Sequence, residues 1–436
     1  MMTTQTIAAE SVSQAAVEAL SLLRHEPDWM LDLRMKAWRF FEEMPWPTGA
    51  EETWRRTRLT GFTLGDYTPL VGAGAQVALP DEVAKALAEV ESAGEMAFVN
   101  GGRAHYRLDP ELAAKGVIFT DLGAAVREHP DLVQRAFGNV VAIDENKFSA
   151  LHYAFWNSGT FIYVPRNVVI DQPLQAVIGQ DPGRKAGFHH TVVLTESGSA
   201  VTLVEDFIGA ENGMSDSVVE LQSGTNSQLN YLHLQNLSDT TWNFSTQRLR
   251  LGRDSLLRHF MGSWGSRLSK AWLNMELDGQ GSHGELLGLY FPGGRQHLDH
   301  HTNQLHRGPN ATSDLLYKGA LKDRARSVYQ GFIKVYPGAQ KTNAYQANRN
   351  LMLSKNSRAD SIPGLEIEAD DVRCTHGATA GQVPAEYTFY LMSRGIDRTN
   401  AERMIVQGFF EEVLNRIPVP GVRNKLETEI ARKLGL

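Results

Sequence analysis

Only one cysteine, Cys374, occurs in the 436 residues. A lone thiol excludes an intrachain disulfide framework, and alone it cannot close a tetrahedral zinc site or a four-thiolate iron-sulfur centre. Its scarcity suits a reducing compartment, so a cytoplasmic location is expected. No apolar run reaches the roughly 18 residues of a membrane span. Positive charge is not in excess either: 43 Lys and Arg against 50 Asp and Glu leave a net charge of −7, which argues against nucleic acid as the main partner. Gly-x-Ser-x-Gly, His-Glu-x-x-His, Cys-x-x-Cys and the phosphate-loop pattern are all missing. Catalysis therefore has no visible signature in the chain, and an enzyme is not expected. The glycines of VGAGA at 71–75 lack a following Gly-Lys-Ser/Thr and read as a turn. Near the N-terminus, Glu10, Glu18 and few arginines argue against a transit peptide.

What is present divides the chain into three. Hydrophobic residues make up 42% and charged residues 21%, enough for a large core. Residues 1–146 read as helical and mixed. Ser11-Val-Ser-Gln14 has the form of a capping box, and Met30, Leu33, Ala37, Phe40 and Phe41 form one stripe of a helix from Asp28 to about Glu43. Trp54, Leu59, Phe62 and Leu64 suggest short strands, Glu82 to Ala93 a helix, and residues 122–137 another.

From residue 147 to 382 the pattern becomes β. Turn signals recur from Gly198 to Gly331 at intervals of about 11 to 15 residues, with β-rich runs such as HHTVVLT and QLNYLHLQNL between them. Sandwich, barrel and solenoid all use short, evenly spaced strands. The length of this segment favours a solenoid whose turns stack on their neighbours. Residues 383–436 return to helix. Tyr387, Tyr390 and Leu391 follow Pro384, Thr399-Asn-Ala-Glu402 is a capping-box pattern leading to Ile405, Phe409, Val413 and Ile417, and Val422, Leu426, Ile430 and Leu434 repeat every four residues. Such helices are expected to cover the exposed strand edges of a solenoid.

Two clusters carry possible chemistry. If Asp371 to His376 is a strand, Val372, Cys374 and His376 share one face and Arg373 and Thr375 the other. Thiol and imidazole then stand about 6.5 Å apart at their Cα atoms, from a rise of about 3.3 Å per residue. Thiolate with imidazole suits zinc, copper or iron-sulfur chemistry rather than magnesium or calcium. The pair is either a buried thiol beside a hydrogen-bonded histidine or half of a ligand set that a second chain completes. The second cluster is histidine-rich: His189 and His190, then His283, His297, His300, His301 and His306. In a strand, His297, Asp299 and His301 share a face, a conceivable mononuclear metal site. Inward polar ladders account for such runs equally well.

The segments at 300–333, 339–354, 365–382 and 386–396 together resemble the C-terminal half of the SufB/SufD family of SUF-system iron-sulfur assembly proteins, and EPDWMLDLRMKAWRFFEEMPWP resembles that family's N-terminal helix. The Cys-x-His-Gly-Ala-Thr form at 374–379 is similar to the SufD branch. The SufB branch carries acidic residues beside its histidine and further cysteines. The resemblance implies a right-handed parallel β-helix flanked by helical regions. It implies a SufB-type partner, a SufC-type ATPase docked on the C-terminal helices around Met404, Ile405, Phe409 and Val413, and iron or a nascent cluster held transiently in the complex by His376, with Cys374 a secondary ligand. No cofactor is expected to be tightly bound by the isolated chain, reduced flavin is possible in the complex, and a homodimer is plausible in isolation. A different class stays open: a β-helix carbohydrate-binding protein, lyase or hydrolase using Asp314, Lys318, Asp323, Arg324 and Arg326.

Overall fold

The computed structural model describes residues 12–71 and 77–435. Ser11 and most of the glycine-rich stretch at 71–75 lie outside them. The first described helix, Gln14–Leu23, is capped by Ser13, whose Oγ accepts from the Ala16 amide. The helix Asp28–Glu43 follows Pro27 and has the expected bounds. It buries Met30, Ala37, Trp38 and Phe41, and with them Arg34. That guanidinium is paired: it donates to Glu26 at 2.7 Å and to the carbonyls of Ala154 and Trp156 at 2.9 Å. It thereby ties the N-terminal helices to the helix Lys147–Phe155, which leads into the β region.

The next stretch differs from its sequence pattern. Trp54 and Leu64 lie in the 3₁₀ turns Glu52–Trp54 and Leu64–Asp66, not in strands. Phe62 sits against Trp242 and Phe244, so these aromatics fill the gap between helix and sheet instead of lining a ladder. The helix expected over 122–137 breaks into Leu122–Glu128 and Pro130–Gln134, because Pro130 has no amide hydrogen to continue the first. The helix expected from Glu82 is Asp81–Ala88.

Two ten-stranded sheets face each other, and the chain alternates between them through a parallel β-solenoid of about 8 turns. One sheet runs from Ser158–Val164 to Arg358–Ile367, the other from Leu174–Gln180 to Arg373–Gln382. Register is strict: Leu229 lies beside Val201 on one side and Leu257 on the other, building an inward apolar column. Between strands the chain turns through left-handed residues, among them Asn167, Asn226, Asp254, Asn310 and Asp323. Short polar side chains tolerate that conformation. The last signals in the expected series do not mark turns: Gly319 and Gly331 lie within the strands Thr312–Leu321 and Arg326–Val335.

The two ends of the solenoid are finished differently. At the start, Gly94–Val99 extends one sheet in parallel with Leu174–Gln180, and Gly102–Leu108 then adds antiparallel to it. Ile118–Asp121 closes the other sheet, antiparallel to Ser158–Val164. At the far end, Arg358–Ile367 and Arg373–Gln382 are each the last strand of their sheet. The expected cover is absent there. The helices Arg398–Leu414 and Pro420–Lys433 lie on the outer face of the second sheet, with Val406, Phe410, Val413, Val422 and Leu426 packed on Leu232, Phe260, Leu287 and Leu316. They had that face to bury, and they leave the terminal strand edges uncovered.

Candidate functional site

The last turn of the solenoid presents its inward face to solvent. Cys374 extends the column Ser313–Ala344, and His376 extends the column Leu315–Gln346, so both side chains belong to the inward face, as strand alternation requires. Arg373 and Thr375 lie on the other face and are exposed. Leu365 and Ile367, on the opposing last strand, are apolar yet 36% and 43% exposed. An inward row without a next turn above it has nothing else to pack on.

Cys374 is half-buried against Ile333, Val335, Ala339 and Ala344. Burial pushes its thiol pKa up, a change only partly offset by a hydrogen bond involving the Ala344 backbone. In the isolated chain the sulfur is therefore held as the thiol, and a metal or a new positive neighbour must draw off its proton before it ligates. Arg373 is on the wrong face to do so. His376 is exposed. Among the described residues, no group of three or more His, Cys, Asp or Glu could hold a metal ion, so these two donors are half a site at most.

Beneath them lies a polar floor. Gln346 is fully buried, accepts from the Gln304 amide at 3.4 Å, and leaves its own Nε2 without a partner among the described residues. Tyr329 bonds Thr302 at 3.0 Å. Gly331 is where these side chains cross: a Cβ there would collide with the Tyr329 hydroxyl and the Gln346 amide.

The histidine-rich strand His297–His306 is divided between two environments. His300 and His306 point inward, against Tyr290 and onto Ser313 Oγ at 2.8 Å. His297, Asp299 and His301 share the outer face, but the place a metal would take is filled by Lys270. Its Nζ donates to Asp299 at 2.6 Å and lies 2.9 Å from His301 Nε2. That ammonium, with the His301 ring 2.9 Å from the other carboxylate oxygen, holds the Asp299 carboxyl well below the usual range despite burial, and Thr57 also donates to Asp299. His189 and His190 likewise split, His189 facing Glu205 inside and His190 facing Glu220 outside. His283 is with Glu285, away from all of them.

The carbohydrate reading is not supported by the placement of its residues. Asp314 pairs with Arg416 at 2.6 Å and Lys318 with Glu412 at 2.6 Å, so both anchor the C-terminal helix. Asp323 accepts from the Gly294 amide in a turn, and Arg326 is on the other sheet beside Asp360. They form no common cleft.

On the C-terminal helices, Val413 is fully buried and belongs to the packing, so it leaves the candidate docking set. Ile405 and Phe409 are half-buried, and Met404 is 49% exposed. The larger exposed surface is one the sequence pattern did not single out: the helix Ala385–Ser393, with Tyr387, Phe389, Tyr390 and Met392 all exposed and only Thr388 buried. An apolar groove of 820 Å³ separates it from Met404, Ile405 and Phe409. The available signal was the density of large apolar residues on every side of a nine-residue helix, too many for one buried face.

Two family models match end to end. Residues 16–176 match the SufBD protein N-terminal region, and residues 177–409 match the SufBD core domain of SUF-system FeS cluster assembly. The chain belongs to the SufB/SufD family. Its relatives include the iron-sulfur cluster assembly protein SufD of Bacillus subtilis, 36% identical over 97% of this chain and 98% of that protein. SufBD-family iron-sulfur cluster assembly proteins of Staphylococcus haemolyticus and Staphylococcus epidermidis are each 30% identical over 94% of this chain and 90% of theirs. Membership of the SufB/SufD family supports a role in SUF iron-sulfur cluster assembly, and among the described residues no helix is long and apolar enough to cross a membrane.

Proposed function

We propose that this SufB/SufD-family chain is the non-ATPase, SufD-type subunit of a SUF assembly complex, without turnover of its own. It pairs with a SufB-type subunit through the open end of the solenoid and carries a SufC-type ATPase on its C-terminal helices. Iron, or a nascent cluster, is cargo at the joint between the two solenoids. The observation that carries this reading is the coincidence of the Cys374–His376 pair with the last strand Arg373–Gln382. A second solenoid adding its own last strand there would extend the ladder and bring the missing donors to the two already present.

In that joint His376 takes iron or a proton, and Cys374 joins once iron displaces the thiol proton: the S–H bond breaks, an S–Fe bond forms, and the proton leaves to solvent or to His376. Covering the mouth removes water from Leu365 and Ile367, which favours the closed pair. The same edge can pair with a second copy of this chain when no SufB-type partner is present. Reduced flavin remains a cofactor of the assembled complex in this proposal, with no residue assigned to it.

The test is co-purification of the tagged chain with the SufB-type and SufC-type subunits of its own organism, followed by anaerobic reconstitution with wild type and His376→Ala. The expected result is one complex with either chain and less iron and sulfide with the variant. Equal iron and sulfide in both complexes would remove His376 from the cargo site. Failure to form a complex at all would overturn the subunit assignment.

A further inference from the structure

Beside the apolar groove, on the other flank of the helix Ala385–Ser393, a second cleft of 640 Å³ opens towards the turns of the second sheet. Its character is different. Lys322 and Lys355 enter it from the sheet turns, Arg398 and Arg403 from the neighbouring helix, and Glu402 is the one acidic residue in its lining. Phe389 and Met392 form its apolar wall and are 72% and 46% exposed.

The cations are only partly satisfied. Arg398 pairs with Glu402 at 3.0 Å, which neutralises the single acid. Arg403 donates through Nη1 to Asn400 Oδ1 at 2.7 Å, while its Nε is shielded from water and has no partner among the described residues. Among the described residues Lys322 Nζ reaches only the Lys433 carbonyl, at 3.5 Å. Lys355 makes no ion pair among the described residues. Among the described residues no carboxylate pairs with Lys322, Lys355 or Arg403, and a charged acceptor entering the cleft would form the stronger, charge-assisted kind of hydrogen bond with them. This is a basic cleft in an otherwise acidic chain, since the net charge is −7.

We propose that this cleft receives a carboxylate side chain of the ATPase subunit docked on the helix Ala385–Ser393, so that the docking surface is an apolar ridge with an anion socket behind it. This rests on the ATPase-docking reading above. The exposed aromatics supply apolar area, and the socket fixes orientation, because its cations lie on one flank of the ridge only. The partner surface that fits is apolar with an acidic residue at one border. A small free anion would leave Phe389 and Met392 uncovered. A protein surface covers both.

The test measures binding of the full-length chain to its own organism's ATPase subunit over a series of sodium chloride concentrations, for wild type, Lys355→Glu, Arg403→Gln and Tyr390→Ser, with thermal melts to confirm folding. Lys355 is an exposed turn residue, so Lys355→Glu keeps the test alive should Arg403→Gln perturb its helix. The expected result is a loss of about tenfold in affinity and a flatter salt dependence for the two charge variants, against a loss with unchanged salt dependence for Tyr390→Ser. Wild-type affinity and salt slope in both charge variants, with Tyr390→Ser still impaired, would overturn the socket while leaving the docking reading intact. Wild-type binding by all three variants would overturn both. Selective competition by millimolar inorganic phosphate over chloride at equal ionic strength would reassign the cleft to a small anion and overturn the proposal.

Discussion

Val413→Asp separates the buried line of the helix Arg398–Leu414 from its exposed one. Val413 has no exposed surface and lies in the apolar cluster of Phe410, Leu316 and Leu289. An aspartate there must either be ionised without a partner or be held neutral. Lys318 does not rescue it, since its ammonium already bonds Glu412 at 2.6 Å and the Phe409 carbonyl at 2.8 Å. Holding a carboxyl of ordinary pKa ~3.9 neutral at pH 7 costs about 4 kcal/mol at 1.36 kcal/mol per unit. The lost valine burial adds about 1.5 kcal/mol. A total of about 5.5 kcal/mol rivals the stability of a whole domain, so the helix detaches locally if that is cheaper. Hydrogen exchange is the assay: amides across 398–414 should lose protection in Val413→Asp, with a fall of at least about 4 kcal/mol in their opening free energy. Met404→Asp, at a half-exposed position, should stay within about 0.5 kcal/mol of wild type. Wild-type protection in Val413→Asp would refute the packing of this helix on the sheet.

Four further outcomes are expected. Acid should destabilise the chain between pH 6.5 and 4, because burial holds His233, His297, His300 and His306 at about 4; their stabilisation is present above the unfolded pKa near 6.5 and is lost as pH falls, which urea midpoints across that range would register. Glu220 works against this: desolvation raises it to about 7 from 4.5, so its contribution is full below 4.5 and lost as pH rises through 7. Glu220→Gln should therefore steepen the acid loss, and an unchanged slope would count against the raised value. Gly331→Ala should cost about 1–3 kcal/mol by forcing the Tyr329 and Gln346 side chains apart, read by chemical denaturation. Cys374→Ser should leave thermal stability close to wild type and lower iron retention in the reconstituted complex, a metal analysis that would instead show equal iron if the thiol never ligates.

The solenoid was legible because its evidence is local and repeated. Many turns spend an Asn, Asp or Gly on a left-handed residue, among them Asn167, Gly198, Asn226, Asp254, Gly281, Asn310 and Asp323, and the interval between them is the length of one strand plus one turn. The shared face of Cys374 and His376 was legible for the same reason, since a strand has only two faces. Long-range pairings were not. Nothing near Gly94–Val99 announces Leu174–Gln180 as its partner, and the residues between 50 and 70 looked like strands because aromatics filling a wedge have the composition of a ladder. For the C-terminal helices, periodicity showed that one stripe is buried without saying against what. The line that packs is Val406, Phe410, Val413 and Ile417, so Ile405 and Phe409 of the expected stripe sit one residue off it, at its half-exposed border. One residue is about 100° of helix, enough to exchange a core position for a surface one.

If the chain pairs as proposed, the unequal ends of its solenoid give it a valence of one. At the first end the edge of the second sheet is blunted, with Arg103, His105 and Arg107 along the antiparallel strand and a bulge between Ala97 and Phe98. Charge and bulge both discourage strand addition. In the proposed complex the last edge is the one extended, and extension consumes it. A repeat protein with two open ends would add copies into a filament, whereas pairing as proposed, last turn to last turn, ends in a closed pair with a single seam, and the chemistry of the seam is the chemistry the two last turns bring to it.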